Sequence, residues 1–107
     1  MVTSQRSRIS DARMLIRESE ESMKLAGIRP AYRRELLEEA SLKRMDAVHM
    51  LSDAARELAV HGKEKRARRV EMIGIAENRS ARALLAEADK ARIEDTNRVL
   101  PGAYAGF

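Results

Sequence analysis

The residues best suited to chemistry in this sequence are two histidines, His49 and His61. Asp46 precedes His49 by three positions, a spacing similar to the Glu-x-x-His pairs of di-iron helical bundles, but those sites need two such pairs and two further glutamates. Arg44 and His49 have the Arg-x4-His spacing of some helical ribonucleases. Five residues rotate by about 140° on a helix, so these two side chains diverge. Neither histidine therefore has the partners of a catalytic or metal site.

Paired carboxylates are the second candidate for chemistry, at Glu20-Glu21 and Glu38-Glu39. Adjacent helical positions point about 100° apart, so neither pair converges on a substrate. The sequence has no cysteine, no glycine-rich phosphate loop and no Ser/His/Asp arrangement. These features predict a protein that is not an enzyme and that needs no cofactor or metal.

Composition and charge restrict the class of partner. Charged residues make up 36% of the chain, and the net charge of +4 is mild for a nucleic-acid-binding protein. The longest uncharged stretch, residues 99–107, is far shorter than the ~20 residues of a membrane-spanning helix. The N-terminus lacks the apolar segment of a signal peptide. We therefore expect a cytoplasmic protein with no membrane partner, and the absence of cysteine agrees with a reducing compartment.

Glycine and proline residues divide long runs of helix-forming residues. They predict one domain of residues 1–98 with three helices, at about residues 4–26, 30–61 and 63–98. The matched lengths of the second and third helices predict an antiparallel hairpin that reverses at Gly62. The alternative is one continuous helix, since an internal glycine costs only about 1 kcal/mol. The predicted fold is all-α, a three-helix arrangement dominated by this hairpin, with a short non-helical tail.

Two charged residues interrupt the apolar stripes of the hairpin, Arg44 on the second helix and Glu77 on the third. If the chain reverses at Gly62, residue 44 faces about residue 80, one helical turn from Glu77. Because an unpaired buried charge costs several kcal/mol, we predict an ion pair between them. The alternative is that a thin bundle leaves both charges in water at its edge.

Eight apolar residues fall outside the stripes: Met14, Leu25, Leu42, Met45, Val60, Met72, Ile75 and Ile93. They either complete the core of a monomer around a sandwiched second helix or form a second surface for self-association or a partner. Flexible methionine suits adaptable contacts, which favours the second interpretation. All but Val60 are candidate residues of that surface.

Five basic residues cluster at the start of the third helix: Lys63, Lys65, Arg66, Arg68 and Arg69. Cations at a helix N-terminus oppose the helix dipole, so a functional reason for them is worth testing. They are candidates for contact with a phosphate backbone or an acidic protein surface. The alternative is a solvated turn in which Glu64 pairs with Arg68 at i,i+4. No aromatic residue lies nearby to stack on nucleic-acid bases.

The uncharged tail, residues 99–107, carries two of the three aromatic residues of the chain. It either caps the bundle, docks on a partner through Leu100, Tyr104 and Phe107, or is disordered. Together these features predict a non-enzymatic protein–protein interaction module that self-associates, such as a small adaptor, a chaperone-like or inhibitor protein, or a structural subunit of an assembly. The alternative is a nucleic-acid-binding protein that uses the basic cluster.

Overall fold

The fold consists of three long helices. The computed structural model describes the backbone of residues 2–104 and the side chains of residues 7–94. In order, the elements are α1 (Val2–Ile28), a short 3-10 turn (Pro30–Tyr32), α2 (Arg33–Val60) and α3 (Glu64–Tyr104). No β-strand occurs among residues 2–104, which confirms the all-α prediction.

Proline ends the first helix. Arg29 has φ −119° and ψ 82°, outside the helical region, as the residue before a proline tends to be. Its N–H still donates to the carbonyl of Leu25 at 2.8 Å and closes the last turn of α1. Pro30 then begins the 3-10 turn, so the predicted second helix becomes true α-helix only at Arg33.

Gly62 reverses the chain between α2 and α3. Its φ of 76° is left-handed, a conformation that glycine adopts without a steric penalty. The Gly62 N–H donates to the Ala59 carbonyl at 3.0 Å, and the Lys63 N–H donates to the Leu58 carbonyl at 2.9 Å. This pair of hydrogen bonds is a Schellman motif, which terminates a helix. The predicted hairpin is therefore confirmed, and the alternative of one continuous helix is wrong.

The helix break that we predicted before Pro101 is absent from the structure. The backbone of α3 stays helical through Tyr104, so the prediction of a non-helical tail is wrong for residues 99–104. Proline has a φ near −65°, which is itself helical, so Pro101 removes a hydrogen-bond donor without forcing the chain out of the helix. The side chains of Leu100, Tyr104 and Phe107, and with them the predicted tail contacts, lie outside the described residues.

α2 is the central helix. It packs against both α1 and α3, whereas no Cα atom of α1 lies within 8 Å of a Cα atom of α3 in the described part of the chain. The result is a rod with dimensions of 66 × 21 × 15 Å. The core is therefore two seams along α2 rather than the single centre of a triangular bundle.

Small residues at seven-residue spacing build both seams. Such spacing keeps side chains on one face of a helix, and small side chains allow two helices to pack closely. The buried small residues are Ala12, Ser19 and Ala26 on α1, Ala40, Ala47 and Ala54 on α2, and Ala67, Gly74, Ala81 and Ala88 on α3. Few larger side chains are buried, chiefly leucines of α2, so each seam is thin.

Candidate interaction surfaces

Arg44 connects all three helices. Its Nη1 lies 2.7 Å from Glu77 Oε2 on α3, and its Nε donates to Ser19 Oγ on α1 at 2.8 Å. Its Nη2 lies 3.8 Å from Glu20 Oε1. The structure thus contains the ion pair that the stripes predict. Arg44 is only 8% exposed, so the alternative that both charges lie in water is wrong for the arginine. The Glu77 side chain is 20% exposed and keeps partial access to solvent.

Two buried serine hydroxyls also link the helices, and one of them, Ser19, belongs to the Arg44 network. Ser19 Oγ accepts from Arg44 and donates to the Ala40 carbonyl at 2.8 Å. Ser41 Oγ donates to the Ala81 carbonyl at 3.0 Å and so joins α2 to α3. The sequence analysis assigned no role to Ser41, although its spacing from the alanines of α2 was a usable signal. Each of these hydroxyls has a partner on a neighbouring helix, so both are structural connections.

An open groove of about 590 Å³ runs between α2 and α3. Its floor contains the buried residues Ala55, Ala67 and Gly74, and Gly74 presents no side chain at all. Small floor residues leave the space that larger side chains would otherwise fill. The walls carry Arg56, Glu64, Arg68 and Glu71, together with Ser52, Ala59, Ile75 and Asn78.

Apolar side chains continue the groove towards the start of α2. Met45 lies seven residues before Ser52, Leu42 lies fourteen before Arg56, and Leu85 lies seven after Asn78, so each shares a helix face with a residue of the groove wall. Leu42 is 67% exposed and Leu85 is 50% exposed. We call the groove together with Leu42, Met45 and Leu85 the groove face.

The structure separates the seven candidate surface residues into groups. Ile75 lines the groove, and Leu42 and Met45 share helix faces of α2 with groove residues, so these three belong to the groove face. Met72 and Ile93 share a different heptad row of α3, which contributes nothing to the groove wall. The remaining two, Met14 and Leu25, lie on α1, whose backbone does not pack against α3 within the described residues.

All of these side chains except Met45 are exposed, and Val60 is exposed as well. The alternative that the eight off-stripe residues complete the core of a monomer is therefore wrong. Leu85 was missed by the sequence analysis because its neighbour Leu84 occupies the core position.

The five cations of the basic cluster lie at the turn between α2 and α3, where the groove ends, and all five are exposed. None of them takes part in an ion pair among residues 7–94. The Glu64–Arg68 pair of the solvated-turn alternative is therefore absent. Arg68 belongs both to this cluster and to the groove wall, which links the two features.

Exposed ion pairs contribute a second set of links between helices. Lys43 on α2 lies 3.2 Å from Glu39 and 3.6 Å from Glu18 on α1. Its hydrogen bond to Glu39 raises the pKa of Lys43 above its usual value. Arg8 on α1 pairs with Glu57 at 3.0 Å, which places the start of α1 near the end of α2 and hence at the basic end of the rod.

Within residues 7–94 no cluster of three or more histidine and carboxylate side chains is placed to hold a metal ion. No helix of the described part has the length and apolar content needed to cross a membrane. No protein-family model, curated protein or solved structure matches this chain.

Proposed function

We propose that this chain is a non-enzymatic protein-interaction module that receives an α-helix of another chain in the groove between α2 and α3. The open groove, with its floor of small buried residues, is the observation that carries the proposal. Such a module would serve as an adaptor, a chaperone-like or inhibitor protein, or a subunit of an assembly. The absence of cysteine supports a cytoplasmic setting as part of the proposal.

Helix-in-groove recognition needs a recess for apolar side chains and an apolar margin beside it. Ala55, Ala67 and Gly74 provide the recess, and Ile75, Leu42 and Leu85 provide exposed apolar area next to it. Covering such side chains stabilises a complex by roughly 25 cal/mol per Å² of apolar surface, before the costs of association are subtracted.

The charges on the groove walls balance. Arg56 and Arg68 contribute two positive charges, and Glu64 and Glu71 contribute two negative ones. Charges of both signs at the rim of an interface favour one orientation and one register of a bound helix more than they add affinity. The groove therefore selects its partner by shape and charge pattern.

The test compares two cysteine variants of a chain that has no native cysteine. Ser52→Cys places a thiol on the groove wall, and Ala83→Cys places one on an exposed position of α3 outside the groove. Each variant is expressed in its native host at its natural level, and the labelling rate by a membrane-permeant maleimide is measured in intact cells. Rates in urea normalise for intrinsic thiol reactivity.

A protein in the groove protects Ser52→Cys and leaves Ala83→Cys reactive. The normalised rate of Ser52→Cys should be about tenfold lower than that of Ala83→Cys, because a partner present at roughly ten times its Kd leaves only about one groove in ten free to react. Equal normalised rates for the two variants would contradict the proposal.

Nucleic-acid binding is a second candidate, favoured by the five exposed cations that have no ion pair among the described residues. It is tested with Lys65→Glu, Arg66→Glu and Arg69→Glu combined, because these three residues do not line the groove. If the candidate holds, the wild type binds duplex DNA or RNA with an affinity that falls steeply with salt, and the variant loses both the affinity and part of the slope. No binding, or an unchanged salt slope in the variant, would exclude it.

A further inference from the structure

We infer that the helices that cover the groove are those of a second copy of this protein, bound antiparallel about a twofold axis so that exposed leucines of each groove face enter the groove of the other copy. The inference rests on the proposed function and specifies its partner. An interface of this kind is isologous, because each copy contributes the same surface, and it closes at two subunits.

Shape is the first argument for a second copy. The recessed part of the groove face lies at the turn end, where Ala55, Ala59 and Ala67 line it. The protruding part lies towards the start of α2, where Leu42 and Leu85 are exposed. An antiparallel copy places the protruding half of each groove face over the recessed half of the other.

The poor burial of the single chain is the second argument. Among the described side chains, twelve large apolar residues are exposed, and three of them, Leu42, Ile75 and Leu85, lie on the groove face. Exposed apolar surface that continues along one face marks an interaction site. A second copy would cover the part of that surface on the groove face.

Charge sets the direction of the second copy. A parallel copy would place the two five-cation clusters side by side at the same end. Like charges separated by no more than the Debye length of ~10 Å repel each other with little screening by salt. An antiparallel copy separates the clusters by most of the rod, whose length is 66 Å. It also moves each basic end towards Glu38 and Asp89 of the other copy, which are exposed and have no ion pair among residues 7–94.

The available area agrees with a dimer. The 28 residues of α2 span about 42 Å at ~1.5 Å per residue, and two adjacent helices are about 20–24 Å wide. The two-helix face therefore measures roughly 840–1,000 Å², close to the ~800 Å² per partner of a stable interface.

Sedimentation equilibrium of the purified full chain at about 1–100 µM gives the first measurement, because modest interfaces dissociate in this range. The expected mass is twice the 12.1 kDa of one chain. A mass of one chain throughout this range would overturn the inference.

Charge reversal tests the antiparallel geometry. One variant combines Arg56→Glu with Arg68→Glu on the two groove walls at the basic end. The other combines Glu38→Lys with Asp89→Lys at the opposite end. Each variant alone should dimerise at least about tenfold more weakly than the wild type, which corresponds to ~1.4 kcal/mol. An equimolar mixture should form a heterodimer with near wild-type affinity, because opposite charges then meet at both ends.

A matched control combines Arg13→Glu with Lys24→Glu, two exposed residues of α1, and should dimerise like the wild type. Circular dichroism verifies that every variant remains helical. Variants that dimerise as the wild type does, or a mixture that fails to recover, would overturn the antiparallel arrangement. A monomeric chain whose Ser52→Cys thiol is protected in cells would overturn the second copy as occupant while supporting the proposed function. A monomeric chain whose Ser52→Cys thiol is also unprotected in cells would reject the proposed function itself.

Discussion

Removing the carboxylate charge of Glu77 tests whether the Arg44 network holds the three helices together. Glu77→Gln keeps the shape of the side chain but removes the charge that lies 2.7 Å from Arg44 Nη1. Breaking a buried ion pair costs about 3–5 kcal/mol, and breaking an exposed one costs about 0–1 kcal/mol. The Glu77 side chain is 20% exposed, and Arg44 retains its hydrogen bond to Ser19. We therefore expect a loss of about 2 kcal/mol in the free energy of unfolding.

Urea denaturation followed by circular dichroism at 222 nm measures this loss. Protein concentration must be constant across variants, because self-association would make stability depend on concentration. A matched control, Asp53→Asn, removes the carboxylate of the exposed pair with Arg56, whose atoms are 3.7 Å apart, and should change stability by less than about 0.5 kcal/mol. Thermal unfolding should show a Tm lowered by roughly 8–16 °C for Glu77→Gln.

A double-mutant cycle isolates the interaction between the two residues. Arg44→Met alone and Glu77→Leu alone should each destabilise the protein, whereas the double variant should lie within about 1 kcal/mol of the wild type, because apolar pairs replace buried ion pairs well. A loss below about 0.5 kcal/mol for Glu77→Gln, together with a coupling energy near zero, would refute the reasoning that this pair is buried and stabilising.

Two glycines and one lysine give further predictions. Gly74→Ala should raise the free energy of unfolding by about 0.5–1 kcal/mol in chemical denaturation, because a Cβ there would meet only Leu51 Cβ at 3.7 Å. Gly62→Ala should lower it by about 1–2 kcal/mol in the same assay, because its φ of 76° is costly for any residue with a Cβ; no change would argue against the Schellman turn. NMR titration should give Lys43 a pKa above 10.5 that Glu39→Gln lowers, with the hydrogen bond to Glu39 as its main cause. Since the folded-state pKa is the higher one, the stabilisation is complete below about pH 10 and disappears as the pH rises through the raised value; an unshifted pKa would exclude the hydrogen bond.

The hairpin and its central ion pair could be predicted because both follow from local rules. Gly62 marks the reversal, and counting from it in both directions brings Arg44 close to Glu77. The position of α1 could not be predicted, since its stripe shows which side is buried but not which helix covers it. In the structure, Ser19 and Ala40 settle this by a hydrogen bond that depends on three-dimensional register.

The groove face could be predicted only in part. Apolar residues outside a stripe are visible in the sequence, but their assignment to one surface requires the relative rotation of α2 and α3. That rotation places Ile75 on the groove, whereas Met72, only three residues earlier in α3, does not line it. The recess itself depends on small residues far apart in the chain, such as Ala55 and Gly74, and their individual types carry no signal for a groove.

The backbone at Pro101 shows the limit of a rule based on residue type. Proline lowers the stability of a helix interior, but its φ is compatible with the helix, and α3 continues to Tyr104. A sequence rule that treats proline as a helix end is therefore reliable only where another signal agrees with it. At Pro30, the conformation of Arg29 supplies that agreement.

The measurement that most directly tests the central claim is the protection of a single thiol on the groove wall. In intact cells, Ser52→Cys should react about tenfold more slowly than Ala83→Cys after both rates are normalised to the unfolded chains, because a helix of another chain covers the groove. Normalised rates that are equal for the two positions would show that the groove is open to solvent in the cell, and they would contradict the account.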